Sequence, residues 1–315
     1  MRILLTGSTG FIGSRLAVCL REREHEVWEL VRYVSGGRYA FYDRPNHVFA
    51  DLRDPEQLRK VVATAKPEVV IHLAAESAVS FSFDHPREVQ MVNFLGTIEL
   101  ARAAQEVGVK HFIFASTSEV YGRAKVFPLT EDEPLGATSP YAVSKIAAEE
   151  YLRVLMYTDR FPATIMRPFN TFGRALVRNP HFVVERAITQ ALEKGKIELH
   201  DPEPWRDFMF REDHVAGYLA VVENWPRVVG QTFNLCTGGS WQIRQMAETV
   251  ARLVKAQTGR SVEVVFSERP DRPLDIPRLH GSSEKIQKAL GWSPRFGFEE
   301  GLERAVFEWR QVLSK

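Results

Sequence analysis

Cysteine is nearly absent from this chain: 315 residues hold two, Cys19 and Cys236, each inside an apolar run. So sparse a set excludes a disulfide framework, and each thiol reads as a small buried hydrophobe. Charge of one sign is lacking too. Forty-one lysines and arginines against 40 aspartates and glutamates leave a net charge of +1. That balance gives no field suited to a polyanion, so neither nucleic acid nor a membrane surface is an expected partner. No apolar run approaches the length of a membrane span. The start, Arg2-Ile3-Leu4-Leu5-Thr6, enters glycine too soon to be a signal segment, and a cytoplasmic location is expected. The nine histidines are scattered without H-x-x-x-H, H-E-x-x-H or cysteine-pair spacing, so no metal is expected. Repeats, low-complexity tracts and flexible linkers are missing as well.

What is present is material for a large core. Hydrophobic residues make up 44% and charged residues 26%, enough apolar surface to offset chain entropy. In the first half, short apolar runs alternate with longer amphipathic ones, the pattern of βαβ units around a parallel sheet. Strands are expected at residues 3–6, 27–31, 48–50, 69–73, 112–116 and 164–167. Helices are expected at 10–22, 55–65, 87–107 and 140–158, the last with Pro140 at its first position. Beyond Arg167 the alternation loosens and a second lobe is expected. It should hold a helix capped by Ser240 and ending at Gly259, another from Ser283 to the stop at Gly291, and a last one over 299–313. The fold class is therefore α/β, a doubly wound parallel sheet with a smaller mixed α/β C-terminal lobe. The boundaries read as 1–172 for the first domain, with 205–238 returning to it, and 173–315 mainly for the second.

The first strand runs into Thr6-Gly7-Ser8-Thr9-Gly10-Phe11-Ile12-Gly13, which opens the first helix. Glycines there permit a tight turn and close approach of a pyrophosphate, which the helix N-terminus favours electrostatically. The competing reading is a structural turn without ligand. After the second strand, where NAD-binding folds place an acid against the adenosine ribose, the chain has Arg32. A guanidinium there suits a 2′-phosphate, so NADP is favoured and NAD stays open.

Tyr141-Ala142-Val143-Ser144-Lys145 sets a phenol and an ammonium one helical turn apart. A nearby cation favours phenolate and lowers the phenol toward working pH, fitting tyrosine to take a hydroxyl proton. Ala115-Ser116-Thr117-Ser118-Glu119-Val120-Tyr121-Gly122 closes the fifth strand, at the sheet edge where ligands of doubly wound folds bind.

The Gly7/Gly10/Gly13 spacing, Leu73-Ala74-Ala75, Asn93, the Thr117 turn, Tyr141/Lys145 and Arg167-Pro168-Phe169-Asn170 together resemble the extended short-chain dehydrogenase/reductases over nearly the whole chain. The resemblance implies a Rossmann-type fold whose second lobe takes a nucleotide sugar. Gly7, Gly10, Phe11, Ile12, Gly13, Arg32, Asp51, Leu52, Leu73, Ala74, Ala75, Tyr141 and Lys145 would hold the nicotinamide cofactor, Asp51-Leu52 standing at the family's adenine contact. Tyr141 would be the base, Lys145 would position the nicotinamide ribose, and Thr117 would hold the sugar hydroxyl.

Thr117-Ser118-Glu119 resembles the triplet of nucleotide-sugar 4,6-dehydratases, where most 4-epimerases carry small residues. The stretches 116–122, 139–145 and 167–173 look most like the GDP-mannose and UDP-N-acetylglucosamine enzymes. This implies C4 oxidation, removal of the C5 proton by Glu119, and loss of water from C6. Ser118 stands where some members have an aspartate to protonate the leaving group, so that role falls to Ser118's neighbourhood or to Glu119 itself. A 4-epimerase, a UDP-glucuronate decarboxylase and an NADP-binding sensor or scaffold without chemistry remain alternatives. Two departures from the pattern are Ala78, where several dehydratases have histidine, and Leu274, where the family's Arg-Pro-Gly-Asp loop has glycine. For the substrate, Asn170 resembles the diphosphate contact. Arg206 and Arg272 are the expected arginine partners, ahead of Arg269 and Arg278. His214 reads as a helix-start residue, and Trp28, Trp241 and Trp309 as packing. Relatives pair the helices after Pro86 and Pro140 into a four-helix bundle, so a homodimer is implied.

Overall fold

The computed structural model describes residues 1–32, 46–174, 182–267 and 275–313. Its elements follow the expected alternation. They run β1 (Arg2–Thr6), α1 (Phe11–Glu22), β2 (Glu26–Val31), β3 (His47–Phe49), α2 (Pro55–Ala65), β4 (Val69–His72), α3 (Val79–Asp84), α4 (Pro86–Val89), α5 (Gly96–Glu106), β5 (His111–Ala115), α6 (Pro140–Thr158) and β6 (Ala163–Pro168). After these come β7 (Asn170–Phe172), α7 (Val183–Lys194), β8 (Lys196–His200), β9 (Trp205–Arg206), β10 (Phe208–Phe210), α8 (Arg211–Glu223), α9 (Trp225–Val228) and β11 (Thr232–Leu235). The chain ends with β12 (Trp241–Gln242), α10 (Ile243–Thr258), β13 (Glu263–Ser267), β14 (Arg278–Leu279), α11 (Glu284–Leu290) and α12 (Phe298–Leu313).

Two compact units emerge, one of residues 1–120, 137–167 and 218–233, the other of 121–136, 168–217 and 234–315. The first is organised by a seven-stranded sheet of order β11-β6-β5-β4-β1-β2-β3, in which β1 to β6 pair in parallel. Strand residues alternate between faces. Leu4, Leu30, Val70, Phe112, Phe114 and Ile165 point to one face and form a continuous core with Leu58 and Val62 of α2, Leu100 and Ala104 of α5, and Leu152 and Leu155 of α6. Truncating one of the large members, such as Phe112→Ala, removes about 3–5 kcal/mol. Helix starts are chemically marked. Asp54 accepts from the Glu56 and Gln57 amides at 3.1 and 3.0 Å to cap α2, and the Ser139 hydroxyl accepts from Ala142 N at 3.1 Å ahead of Pro140 to cap α6.

The single helix expected over 87–107 is interrupted. Residues Gln90–Leu95 form a π-helical turn between α4 and α5. The cause is polar: the Thr97 hydroxyl takes the Asn93 carbonyl at 2.6 Å. The Asn93 side chain leaves the helix surface to bond the Glu76 backbone at 2.8 and 3.0 Å and the Ser144 hydroxyl at 3.1 Å. Gly96 completes the fit, because a Cβ there would lie 2.8 Å from that of Leu52.

In the second unit, α7, α10 and α12 pack on one another beside short strand pairs. Gly301 lets α12 close on the Phe172 ring, and Trp241 stacks on Phe298 with centroids 4.4 Å apart, the packing role expected of it. The cap of α10 is Gln242, which shares a capping box with Gln245, rather than Ser240. The extended segment β12 consumes the residues after the serine, so the first helical turn begins two positions later. α11 ends on left-handed Gly291 as expected. Cys19 and Cys236 are buried, and neither forms a disulfide among the described residues.

Burial holds three histidines neutral. His72, His111 and His214 are each lowered to about 3 by desolvation. A histidine depressed in the fold but ordinary in the unfolded chain makes the unfolded state bind more protons between those values. Stability is therefore full above about pH 6.5 and falls as pH drops toward 3, by roughly 1.4 kcal/mol per pH unit for each histidine. Thermal melts should show Tm declining between pH 6.5 and 5, before most carboxylates titrate, the three histidines outweighing the opposite slope of Glu185, which burial raises to about 8. A Tm constant down to pH 5 would contradict this assignment.

Candidate functional site

The parallel strands of the first unit end on a common edge, and the expected nucleotide-binding residues lie there. β1 stops at Thr6, and Gly7 turns the chain with φ of 76°. A Cβ on Gly7 would lie 2.7 Å from the Ala74 nitrogen and 2.9 Å from the Leu73 carbonyl carbon, and one on Gly13 would overlap the Gly7 carbonyl. Backbone packing thus restricts both positions to glycine. Leu73 N donates to the Thr6 carbonyl at 3.3 Å, and Ala74 N to the Thr6 hydroxyl at 3.1 Å, which draws Leu73-Ala74-Ala75 against the turn. The same hydroxyl meets His72 Nδ1 at 2.7 Å, while His72 Nε2 meets the Thr97 hydroxyl at 3.0 Å. α1 starts at Phe11 and Ile12 after Gly10, with no side-chain cap. Its first-turn amides and dipole suit an anionic group.

Arg32 follows β2, half exposed, with Nη1 3.5 Å from the Glu76 carboxylate. Asp51 follows β3 and is gripped by Arg53, whose backbone N and Nε donate at 2.9 Å and Nη2 at 2.6 Å. These bonds hold its carboxyl below the usual range. Leu52 is buried beneath Gly96. The glycine turn, the Leu73-Ala74-Ala75 segment and the Arg32 and Asp51 positions therefore share the carboxyl edge of one sheet. The glycine cradle and the uncapped helix start fit a dinucleotide pyrophosphate.

Past β5, Ser118–Tyr121 form a 3₁₀ turn. Glu119 N donates to the Thr117 hydroxyl at 3.2 Å, and that hydroxyl in turn hydrogen-bonds the Tyr141 phenol. Tyr141 and Lys145 share the buried face of α6. The phenol does not sit near working pH in the protein alone. Burial pushes it up, the Glu119 charge pushes it further, and the Thr117 bond opposes both. Lys145 spends its ammonium elsewhere: Nζ donates to the Ala115 carbonyl at 2.7 Å and lies 4.8 Å from the centre of the Phe114 ring. Burial lowers this lysine to about 7.

Sequence reasoning missed Glu149, one turn further along α6 and fully buried. Arg167 holds its carboxylate through Nε at 3.0 Å and Nη2 at 2.7 Å, Arg153 Nη2 at 2.8 Å, and the Ser116 hydroxyl also donates to it. The available signal was the i, i+4, i+8 series Tyr141, Lys145, Glu149.

The second unit carries the expected substrate residues. Asn170 opens β7, and its buried Oδ1 has no hydrogen-bond partner among the described residues, as befits a group that meets a ligand. Arg206 lies in β9 with Nη1 donating to the Trp205 carbonyl at 2.9 Å. Arg278 lies over the rings of Phe127 and Trp205 at 4.9 and 5.7 Å. Arg269 and Arg272 fall outside the described residues. Two carboxylates brace this unit. Asp207 accepts from Thr237 N at 2.9 Å, its hydroxyl at 2.7 Å and Gly238 N at 2.9 Å. Asp213 accepts from the Arg295 and Phe296 amides at 3.0 Å each. His214, inside α8, bonds the Thr171 hydroxyl at 2.6 Å, a packing role consistent with its place near the helix start.

A doubly wound sheet with a glycine-bent first turn and a buried Tyr/Lys pair on the helix after its fifth strand defines the short-chain dehydrogenase/reductase class. The model of the GDP-mannose 4,6 dehydratase family matches residues 4–305. A UDP-glucose 4-epimerase of Mycolicibacterium smegmatis is 32% identical over 97% of this chain and 97% of its own length. A dTDP-D-glucose 4,6-dehydratase of Mus musculus is 31% identical over 98% of this chain and 88% of its own. Among solved structures, the UDP-glucose 4-epimerase of Thermus thermophilus in complex with NAD superposes with a TM-score of 0.87 at 30% identity, over 98% of this chain and 99% of that one. The chain belongs to the nucleotide-sugar dehydratase and epimerase family of extended short-chain dehydrogenase/reductases.

Placing Lys145 in an apolar setting costs stability. A lysine depressed in the fold but ordinary when unfolded carries its full ionisation cost below about pH 7 and sheds it as pH rises toward 10.5. Lys145→Met should therefore raise Tm at pH 7 by about 3 °C or more, with the gain fading by pH 10. A gain independent of pH would mean that the ammonium is not the source.

Proposed function

We propose that this chain is a nucleotide-sugar 4,6-dehydratase. The observation that carries the reading is the Glu119 carboxylate, set on the turn after Thr117 where its charge reaches the Tyr141 phenol. A second base beside the first is what elimination adjacent to an oxidised carbon needs.

Gly7, Gly10, Phe11, Ile12, Gly13 and the Leu73-Ala74-Ala75 segment would hold a nicotinamide dinucleotide, with Asp51 and Leu52 toward its adenine. The Thermus relative carries NAD. Arg32 supports NADP for this chain, because a guanidinium stabilises a 2′-phosphate that an acid would repel. When bound, such a cofactor would supply reversible hydride transfer, from C4 and back to C6, with no net oxidation. Thr117 holds the C4 hydroxyl and Tyr141 takes its proton, while Lys145 orients the ribose. A ketone at C4 acidifies the C5 hydrogen, and Glu119 takes it. Protonation of the departing C6 hydroxyl falls to Glu119 once it carries that proton, since Ser118 has no acid to offer; as hydride is delivered to C6, C5 takes up a proton, which balances the one Tyr141 removed from the C4 hydroxyl. In the second unit Asn170, Arg206 and Arg272 take the diphosphate, with arginine suited to its paired oxygens.

The 4-epimerase reading draws on the Mycolicibacterium relative. It needs Tyr141 and Thr117 but gives Glu119 no task. Mass spectrometry after incubation with UDP-, GDP-, dTDP- and CDP-sugars, with NAD and NADP tried separately, distinguishes the readings. Loss of one water, with NADP preferred, is expected. Constant mass with inverted C4 would establish an epimerase, and loss of carbon dioxide a decarboxylase. Cofactor binding with every sugar unchanged would indicate a sensor. Tyr141→Phe should lower turnover by at least about a thousandfold. Glu119→Gln should halt at the C4 ketone with reduced cofactor visible by absorbance.

A homodimer through α5 and α6 is supported by the exposed apolar side chains Leu95 just before α5 and Val143, Val154 and Tyr157 along α6, the last 90% exposed. Sedimentation should give the mass of two chains, and Val154→Asp with Tyr157→Asp should give that of one. A wild-type monomer would remove the proposal.

A further inference from the structure

Glu149 touches none of the groups assigned above to sugar or cofactor, yet it is the most fully paired carboxylate beside them. It has no exposure and lies one turn beyond Lys145 on the same helix, the spacing at which helical side chains meet. Its oxygens receive Arg167 from β6 at 2.7 and 3.0 Å, Arg153 from α6 at 2.8 Å and the Ser116 hydroxyl from the end of β5. Ser116 immediately precedes Thr117. Lys145 itself donates to Ala115 on the same strand end at 2.7 Å. Both side chains thus tie α6 to the two residues from which the Thr117 turn departs.

The charge arrangement is uneven. Around Lys145 stand the neutral Tyr141 and Glu149 on its own helix, the neutral His72 on β4, whose ring feels the ammonium, and the Phe114 face on β5. Arg167 is itself buried, at 2% exposure, and it and Arg153 lie behind Glu149. The carboxylate one turn from the ammonium is thus kept ionised by two guanidinium groups that stay charged at any working pH.

We propose that Glu149 is a positioning residue for the Tyr141/Lys145 pair, its buried carboxylate lying one helical turn beyond the Lys145 ammonium as its counter-charge while fixing α6 to the strand end that carries Thr117. Desolvation works against that ammonium, and Glu149 is the charge that opposes it. Without Glu149 the lysine would stand in an apolar setting with no opposing charge, where a neutral amine is the cheaper form. The proposal rests on the catalytic reading of Tyr141 and Lys145 for its meaning in turnover. The coupling between Glu149 and Lys145 does not.

The test follows the lysine Cε carbon resonance of isotope-labelled full-length protein with pH, using Lys145→Arg to identify the signal. In Glu149→Gln the protonation midpoint of Lys145 should fall by about one pH unit or more, a tenfold loss of proton affinity. Glu149→Asp, which draws the carboxylate back by one methylene, should lower it as well, by about twofold to fivefold in affinity. If Glu149→Gln does not fold, this second variant decides. A midpoint unchanged in the folded variants would overturn the proposal and leave Glu149 a brace alone. Because the titration uses no substrate, its result stands apart from the mass-spectrometric one: a shifted midpoint in a protein that transforms no nucleotide sugar supports the coupling and defeats the dehydratase reading.

Discussion

A carboxylate withdrawn wholly from water must find a partner for nearly every lone pair, and the pairing of Glu149 organises the catalytic side of the first unit. Arg167 from β6, Arg153 from α6 and Ser116 from β5 converge on it. Breaking such a group open by removing one partner costs about 3–5 kcal/mol, far more than its net contribution when intact. The arrangement therefore acts less as glue than as a constraint on register. α6 can take one rotation and one height against the sheet, and Tyr141 and Lys145 inherit both.

A second buried set does for the glycine turn what the pairing of Glu149 does for α6. Thr6, His72 and Thr97 bond in a line from β1 through β4 to α5, and Asn93 carries the connection on to Ser144 of α6. The glycine turn, the Leu73-Ala74-Ala75 segment and the catalytic helix are consequently joined by short polar bonds in an otherwise apolar interior, where each unmet bond would be expensive. The π-helical turn at Gln90–Leu95 is the backbone's accommodation to this set: a regular helix would keep the Asn93 carbonyl in its own ladder and turn its amide away from Glu76 and Ser144.

The second unit uses the same device with different residues. Asp207 and Asp213 are short acids that accept backbone amides from distant segments, organising the loops after β11 and before α12. The segment around Arg206 is thus mostly architecture. The sequence suggested a site at this segment through its arginine, and the aspartates beside it turn out to be the more deeply engaged residues.

Local pattern was enough for the sheet's alternation, the limits of α2 and α6, the glycine turn, and the i, i+4 placement of Tyr141 and Lys145. Hydrophobic period, caps and glycine spacing are properties of neighbouring residues and are written in one dimension. Four things were decided only by tertiary structure. They are the split of the 87–107 helix, the shift of the α10 cap to Gln242, the pairing of Glu149, and the burial of the Tyr/Lys pair. A helix surface glutamate and a buried one have the same sequence context. Desolvation, and the guanidinium groups brought from other strands, exist only once the chain has closed around them. That is why a phenol that spacing alone would place near a cation is instead held high by its burial.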